Sequence, residues 1–463
     1  MSDKNIDMAR RIALAVDRAG GRTFYVGGYV RDILMGRENK DVDIEVHGVP
    51  VKTLEGILDG LGERLQMGAS FGVMGLRHYD IDIAMPRSEV ATGRGHRDFE
   101  VIVDPFIGPE RAARRRDFTM NAMMMDVVTR ELLDFFGGQA DMAAGRIRHV
   151  SDATFAEDPL RVFRAAQFAA RFSLVIAPET CRLAREMDVA ALSCERVMGE
   201  LEKALIKAER PSLFFEALRD MAQMDVWFPE VAALIGVPQN PDFHPEGDVW
   251  RHTLEVLDEA ARLRGDAESP LGLMLAALCH DFGKAVTTRE INGTLHAYGH
   301  EKEGLPLIER FMRRLTSETA LIRRVLSLSE LHMKPNRKVS DGAKKKSFMK
   351  LFDEADDPED LLLLARADYL GRWDSEAERA HIAEEYAPKE AILRRMLEEY
   401  RELMARPGLM GRDLIQAGVK PGPGMGQALA YAHKLHLAGV PRELQLAQAL
   451  GYLRALEGKG GIG

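Results

Sequence analysis

Cysteine is nearly missing: Cys181, Cys194 and Cys279 are the only three in 463 residues, and no two form a C-x-x-C pair. An odd number without paired spacing excludes a disulfide framework and a cysteine-built zinc site, leaving reduced, buried thiols. Long apolar runs are missing as well. The stretch 273–279 falls far short of the roughly 20 residues that cross a bilayer. The start M-S-D-K-N has no signal-peptide core, so a cytoplasmic protein without a membrane partner is expected. Internal repeats and low-complexity tracts are absent too. The chain also lacks net positive charge: the balance is −9, which as a whole argues against a nucleic-acid partner. Distribution matters more than the sum for phosphate binding. Arg94, Arg97, Arg111, Arg114, Arg115 and Arg116 crowd one region, and 334–350 holds seven Lys or Arg against the single Asp341.

What is present reads as globular, with 46% hydrophobic and 29% charged residues in a chain too long for one core. Up to about Gly138, β-like runs at 23–26, 42–46, 81–85 and 99–103 alternate with helical patterns. Beyond it strand signals nearly vanish, and apolar residues recur at helical spacing over 159–172, 190–207, 211–224, 253–264 and 305–315. The expected class is α+β: a small mixed-sheet head, 1–138, then helical segments 139–240, 241–375 and 376–463, with Gly/Pro hinges near 237–247 and 419–426.

The segment V-G-G-Y-V-R-D-I-L-M-G-R-E-N-K-D-V-D, from Val26 to Asp43, is the most informative. Gly27 and Gly28 allow a close backbone approach to an anion at a helix start, and Arg31 adds a forked cation beside Asp32. Asp41 and Asp43 alternate in a strand pattern, which puts two hard oxygen ligands on one face, suited to Mg²⁺ carrying a nucleotide. Asp82, in Y-D-I-D-I-A, is a candidate third carboxylate. Farther on, Arg115, Arg116, Asp117 and Asn121 in R-R-D-F-T-M-N-A offer cations for phosphates and polar groups for a sugar. In E-D-P-L-R-V-F-R, Asp158, Arg161 and Arg164 share a helix face. A carboxylate there accepts from the amino group that cytosine and adenine carry, where uracil and guanine carry a carbonyl oxygen. A plain N-cap followed by Pro accounts for Asp158-Pro159 equally well.

In this order, G-G-Y-V-R-D, D-V-D, R-R-D-F-T-M-N-A, D-F-F-G-G, E-D-P-L-R-V-F-R and E-R-V-M-G-E-L-E-K resemble the class II tRNA nucleotidyltransferases and their relatives, the bacterial poly(A) polymerases. The resemblance implies a polymerase-β-like nucleotidyltransferase head, a neck helix that templates the incoming base, and a helical body and tail that hold tRNA. It places Asp41 and Asp43 on Mg²⁺, Gly28 and Arg31 on phosphates, Arg116, Asp117 and Asn121 on the nucleotide, and Asp158 and Arg161, with Arg164 beside them, at the base. Two positions depart from the family pattern: Gln167 replaces the usual arginine of R-A-x-R-F, and Arg111-Ala112-Ala113 stands where an acidic residue is usual. Gly411-Arg412-Asp413-Leu414 and Lys420-Pro421-Gly422-Pro423-Gly424 are similar to the family's tail.

A second constellation lies downstream. His280-Asp281 follows a buried apolar run, with His252 upstream and Asp368 downstream. This is similar to the HD phosphohydrolase signature and implies a divalent metal on His252, His280, Asp281 and Asp368, with His300 and His332 available for a second. Imidazoles and carboxylates together suit Mn, Ni, Fe or Zn. The expected function is addition of CCA to the tRNA 3′ end from CTP and ATP. The alternatives are CC-only addition, A-only addition, poly(A) synthesis, and, in another class, an HD metal phosphohydrolase or 2′,3′-cyclic phosphodiesterase.

Overall fold

The computed structural model describes residues 2–39, 41–67, 73–91, 99–373 and 375–459. Arg94 and Arg97 of the basic region lie outside the described residues. The chain forms two compact units, one of residues 1–204 with 213–226, the other of 205–212 with 227–463.

In the first unit the strands are β1 (Arg22–Val26), β2 (Val42–His47), β3 (Arg64–Met67), β4 (Val73–Leu76), β5 (Ile81–Ala84), β6 (Arg87–Ala91), β7 (Phe99–Val103), β8 (Met124–Asp126), β9 (Leu132–Leu133) and a short parallel pair, β10 (Arg146–Ile147) with β11 (Val175–Ile176). Seven make one sheet in the order β3-β4-β5-β2-β1-β8-β9, while β6 and β7 pair separately. Within that sheet only β2 and β5 run parallel, and their register sets Asp43 opposite Asp82. Strand alternation divides the labour of β2. Val42, Ile44 and Val46 are buried in a core with Ile12 and Val16 of the helix Ser2–Arg18 and with Leu54 and Leu58 of the helix Val51–Asp59. Each such side chain contributes roughly 1.5–3 kcal/mol by its burial. The opposite face is left to Asp41, Asp43 and Glu45.

The helix Leu160–Phe172 buries Val162, Phe163, Ala166, Ala169 and Ala170 and ends at Ser173, whose φ of 54° is left-handed. Phe168 meets Phe118 edge-on at 5.7 Å, tying this helix to the R-R-D-F-T-M-N-A segment. The periodic stretch 190–207 becomes helical only from Cys194, because the Asp188 carboxylate accepts from the Ala190 N–H at 2.9 Å and holds a turn there.

Among the described residues, the regular structure of the second unit is helical except for a hairpin, Arg289–Ile291 with Thr294–His296. Asn292 and Gly293 close it with φ of 53° and 78°, the left-handed pair of a tight hairpin turn. The helix Pro270–Cys279 is buried on every side from Gly272 onward, and its first turn is capped by Ser269 Oγ accepting from Gly272 N. It therefore holds His280-Asp281, each 1% exposed, at its buried C-terminal end. Gly283 fits where nothing larger can, since a Cβ there would lie 2.0 Å from His300 O. No helix among the described residues is long and apolar enough to cross a membrane.

Candidate functional site

Two sites can be built, one in each unit. In the first, Asp41, Asp43 and Asp82 line one cleft of about 190 Å³. Burial pushes the Asp43 carboxyl up to about 6, helped by the like charges of Asp82 and Asp41 and opposed by Arg116. Carboxylates gathered this way repel one another, and a divalent cation relieves the repulsion, so the residues fit Mg²⁺. Gly27, at φ 64°, lies close to Asp43: a Cβ on it would come within 3.0 Å of Arg116 Nη1 and 3.8 Å of Asp43 Oδ2. The glycine turn, a metal-ligand candidate and a cation thus meet at one point. Glu45, two residues beyond Asp43, accepts from Arg116 at 3.4 Å and lies 2.8 Å from His47 Nε2. Burial alone would raise the Glu45 carboxyl, yet His47 and Arg116 hold it below its ordinary range.

Beside this point opens a cavity of about 540 Å³ lined by Arg87, Arg115, Arg116, Arg161, Arg164 and Arg196 against Glu45, Asp117 and Asp158. Six cations against three carboxylates suit it to an anion as large as a nucleotide. Asp158 is bridged through both oxygens by Arg196 at 2.9 Å and also accepts from Leu160 N. Arg161 donates to Thr154 O and, at 3.0 Å, to Arg115 O. The expected base-reading pair therefore lines the cavity with part of its hydrogen-bonding capacity taken up by the protein itself.

Several expected phosphate and sugar contacts form instead a relay that is buried from Asp32 and Arg31 to Asn121 and Asp117. The Asp41 N–H donates to Asn39 Oδ1, and Asn39 Nδ2 donates to Asp32. Arg31 donates to Asp32 at 2.6 and 2.8 Å and, through Nη1, to Asn121 Oδ1. Asn121 Nδ2 donates to Asp117, whose other oxygen accepts from Arg164 Nε at 2.8 Å. Burial would raise the Asp117 carboxyl, but Arg164, Asn121 and the Phe118 N–H hold it below its usual range. Arg31 and Asp32 are each only 4% exposed, so in this structure they brace the site rather than open onto it. Gln167 is buried on the same helix, with its Nε2 unpartnered among the described residues.

Sequence reasoning missed Glu45, Asn39 and Arg196. The first was legible, since D-V-D-I-E alternates three carboxylates on one face; the other two depend on contacts that no spacing reveals.

In the second unit, three imidazoles are oriented alike. His280 Nδ1 lies 2.8 Å from Ala277 O, His300 Nδ1 2.8 Å from Ala297 O, and His332 Nδ1 2.6 Å from Ser329 O. A carbonyl only accepts, so each ring donates from Nδ1 and turns its Nε2 inward. His280 Nε2 and His300 Nε2 face Asp281 oxygens at 3.2 Å, His332 Nε2 lies 3.9 Å from Asp281, and His252 Nε2 lies 3.2 Å from Asp368 Oδ1. Among the described residues, the Nε2 atoms of His280 and His300 are buried without a hydrogen-bond partner. Lone pairs facing carboxylate oxygens are what a cation between them satisfies, so the donor set fits a divalent metal. Burial lowers His332 to about 3, with the neighbouring His280 adding to the effect, so the ring stays neutral as a ligand must. Asp368 is held well below its usual range: burial opposes this, but Arg372 and His252 prevail. His244 and Glu246 join the cluster unforeseen, with Glu246 Oε1 lying 2.9 Å from His244 Nδ1 and 2.7 Å from His252 Nδ1.

The chain matches the poly A polymerase head domain over 23–148 and the HD domain over 249–373, and domains of these kinds generally use divalent metals. A multifunctional CCA protein of Actinobacillus pleuropneumoniae is 37% identical over 362 residues, 75% of this chain and 85% of that protein. Another, of Halorhodospira halophila, is 36% identical over 430 residues, covering 90% and 97%. A solved CCA-adding enzyme in complex with CTP shares the fold at a TM-score of 0.64 and 20% identity, over 98% of this chain and 96% of that one. With sequence, fold and site geometry agreeing, the chain belongs to the multifunctional CCA protein family of tRNA nucleotidyltransferases.

Proposed function

We propose that the first unit adds C, C and A in turn to the 3′ end of tRNA, using CTP and ATP. The 3′ oxygen bonds to the α-phosphorus as the bond to the β-phosphate oxygen breaks, releasing pyrophosphate. The observation that carries the reading is the meeting of Gly27, Asp43 and Arg116 at one point. Asp41 and Asp43, with Asp82, would hold Mg²⁺, which when bound supplies positive charge for the reacting phosphoryl group and for pyrophosphate. Arg116, oriented by Glu45, and Arg115 receive the triphosphate. Gly28, Arg31 and Asp32 shape the turn, while Asn121 and Asp117 link it to Arg164. Asp158 and Arg161 read the base, accepting from the amino group and donating to the ring nitrogen of C or A. Within the chain, 1–138 serves as catalytic head, 139–240 as neck and body, 241–375 as HD domain and 376–463 as a tail for tRNA, in a cytoplasmic enzyme.

Asp41→Ala tests the reaction: addition is lost while tRNA binding persists, and near-normal turnover would refute the assignment. Arg161→Ala tests the template: full preference for C and A over U and G in that variant would end the idea.

The inward-facing Nε2 atoms of the second unit favour an additional reading, a metal-dependent phosphohydrolase. His252, His280, Asp281 and Asp368 would hold Mn, Ni, Fe or Zn, with His300 and His332 available for a second ion. Bound there, the cation supplies a Lewis acid that makes water a nucleophile at neutral pH. Lys284, 2.6 Å from Asp281, and Arg372 line the same cavity and would receive phosphate oxygens. Phosphatase activity that survives Asp41→Ala but disappears in Asp281→Ala is the expected result; its absence with each of the four metals would remove this reading.

A further inference from the structure

We propose that His47 is a positioning residue for nucleotide addition: acting through Glu45, it fixes Arg116 where the triphosphate is received. It then sets the grip on CTP and ATP alike and leaves the choice of base untouched. The proposal rests on the nucleotide-addition reading of the first unit and names a residue that reading does not use.

Alternation along β2 carries its polar face past the metal carboxylates, from Asp43 through Glu45 to His47. Four residues of extended chain span roughly 13 Å, which keeps the imidazole away from Asp43 and the reacting phosphate. Its influence therefore has to pass through a neighbour. His47 is only 5% exposed, and its Nε2 lies 2.8 Å from Glu45 Oε1. An ionised carboxylate only accepts, so His47 donates. Glu45 Oε2 accepts from Arg116 Nη2 at 3.4 Å, longer than the usual range. The short contact thus holds the carboxylate, while the long one aims Arg116 and leaves it available to an incoming anion. Arg116 accordingly lines the nucleotide-sized cavity, with its side chain more exposed than that of Glu45.

His47 is itself anchored. Its ring meets Phe24 edge-on at 5.3 Å, and its backbone pairs with Arg22 of β1. Gly21 packs so closely that a Cβ there would lie 2.5 Å from His47 O. Among the described residues, His47 Nδ1 is buried without a hydrogen-bond partner. Buried polar atoms are normally paired, so a ring kept for packing alone would do better as phenyl. What phenyl lacks is the donor to Glu45.

The test uses the whole protein and separates packing from hydrogen bonding. His47→Phe keeps a ring against Phe24 and removes the donor, whereas His47→Gln keeps an amide N–H near the reach of Nε2 and removes the ring. Steady-state addition from CTP to a tRNA ending before CCA, and from ATP to one ending in CC, gives KM and kcat for each. His47→Phe should raise both nucleotide KM values about ten-fold, as a lost hydrogen bond to a charged group does. The kcat, the KM for tRNA and the preference for C and A over U and G should stay as in the parent. His47→Gln should restore the parent KM. In an Arg116→Ala background His47→Phe should raise KM no further, because the residue it acts through is gone. A thermal melt accompanies each variant, and if His47→Phe does not fold, His47→Asn, whose amide stops short of Glu45, takes its place. Parent-like KM without the donor, failure of His47→Gln to restore it, or the same rise without Arg116 would overturn the relay. If the parent itself extends no tRNA, the addition reading fails, and equilibrium dialysis of CTP with magnesium judges the relay alone. Binding weakened in His47→Phe and restored in His47→Gln then keeps it, and equal binding in all three ends it.

Discussion

Asp43→Asn separates what the metal carboxylates do for chemistry from what they cost the fold. In the metal-free protein, burial with Asp82 and Asp41 nearby raises the Asp43 carboxyl from 3.8 to about 6. Because the folded-state value is the higher one, the stabilising contribution is fully present below the unfolded value and is lost as pH rises through about 6. At about 1.36 kcal/mol per pH unit, keeping this carboxylate ionised costs up to about 3 kcal/mol, and solvent screening of the partly exposed side chain brings the figure toward ~1–2 kcal/mol. Removing the charge with a side chain of the same shape should therefore stabilise the metal-free first unit at pH 8, with the gain vanishing at pH 4. Hydrogen exchange at Tyr25 and Ile44, register partners across β1 and β2, reports on this unit by itself. The same variant should lose at least about a thousand-fold in nucleotide addition, as expected when a central electrostatic group is removed. No gain at pH 8, or an equal gain at pH 4, would refute the reasoning. Added magnesium should stabilise the parent more than the variant, since only the parent keeps the full ligand set.

Three further outcomes follow from particular contacts. Gly27→Ala forces an L side chain into the left-handed region, costing about 1–2 kcal/mol, and pushes Arg116 away from Asp43; turnover should fall more than stability, as a thermal melt alongside single-turnover addition will show. Arg196→Ala removes the cation bridging Asp158, so misincorporation of U and G should rise relative to C and A in competition assays, and unchanged fidelity would make that bridge merely structural. Gly283→Ala places a Cβ 2.0 Å from His300 O, so the second unit should be destabilised by more than about 3 kcal/mol and lose manganese binding by isothermal titration, whereas normal metal affinity would contradict the packing.

Much of this was legible because local chemistry and fold agree. Alternation in D-V-D predicts a strand face that β2 provides, and the periodicity over 305–315 corresponds to the helix Leu305–Leu315. The α+β class and the nucleotidyltransferase reaction are likewise those expected from the ordered motifs. What escaped was set by distance along the chain. Arg196 reaches Asp158 from 38 residues away, and Asn121 reaches Arg31 from 90. The position of Asp82 beside Asp43 needs a parallel pairing that no local pattern specifies. Arg31 is the instructive case. A glycine turn followed by an arginine reads as an open phosphate grip, but Asp32 beside it and Asn121 across the site take up its donors. The Asn292-Gly293 hairpin, by contrast, was signalled plainly and passed over amid helical surroundings.

The most direct test of the central claim is extension of three tRNA substrates, ending before CCA, after C and after CC, with each nucleoside triphosphate alone and with CTP plus ATP. The account predicts growth of all three to CCA followed by a stop, with ATP alone extending only the substrate that ends in CC. Long A tails, or no extension of any substrate in the presence of magnesium, would contradict it.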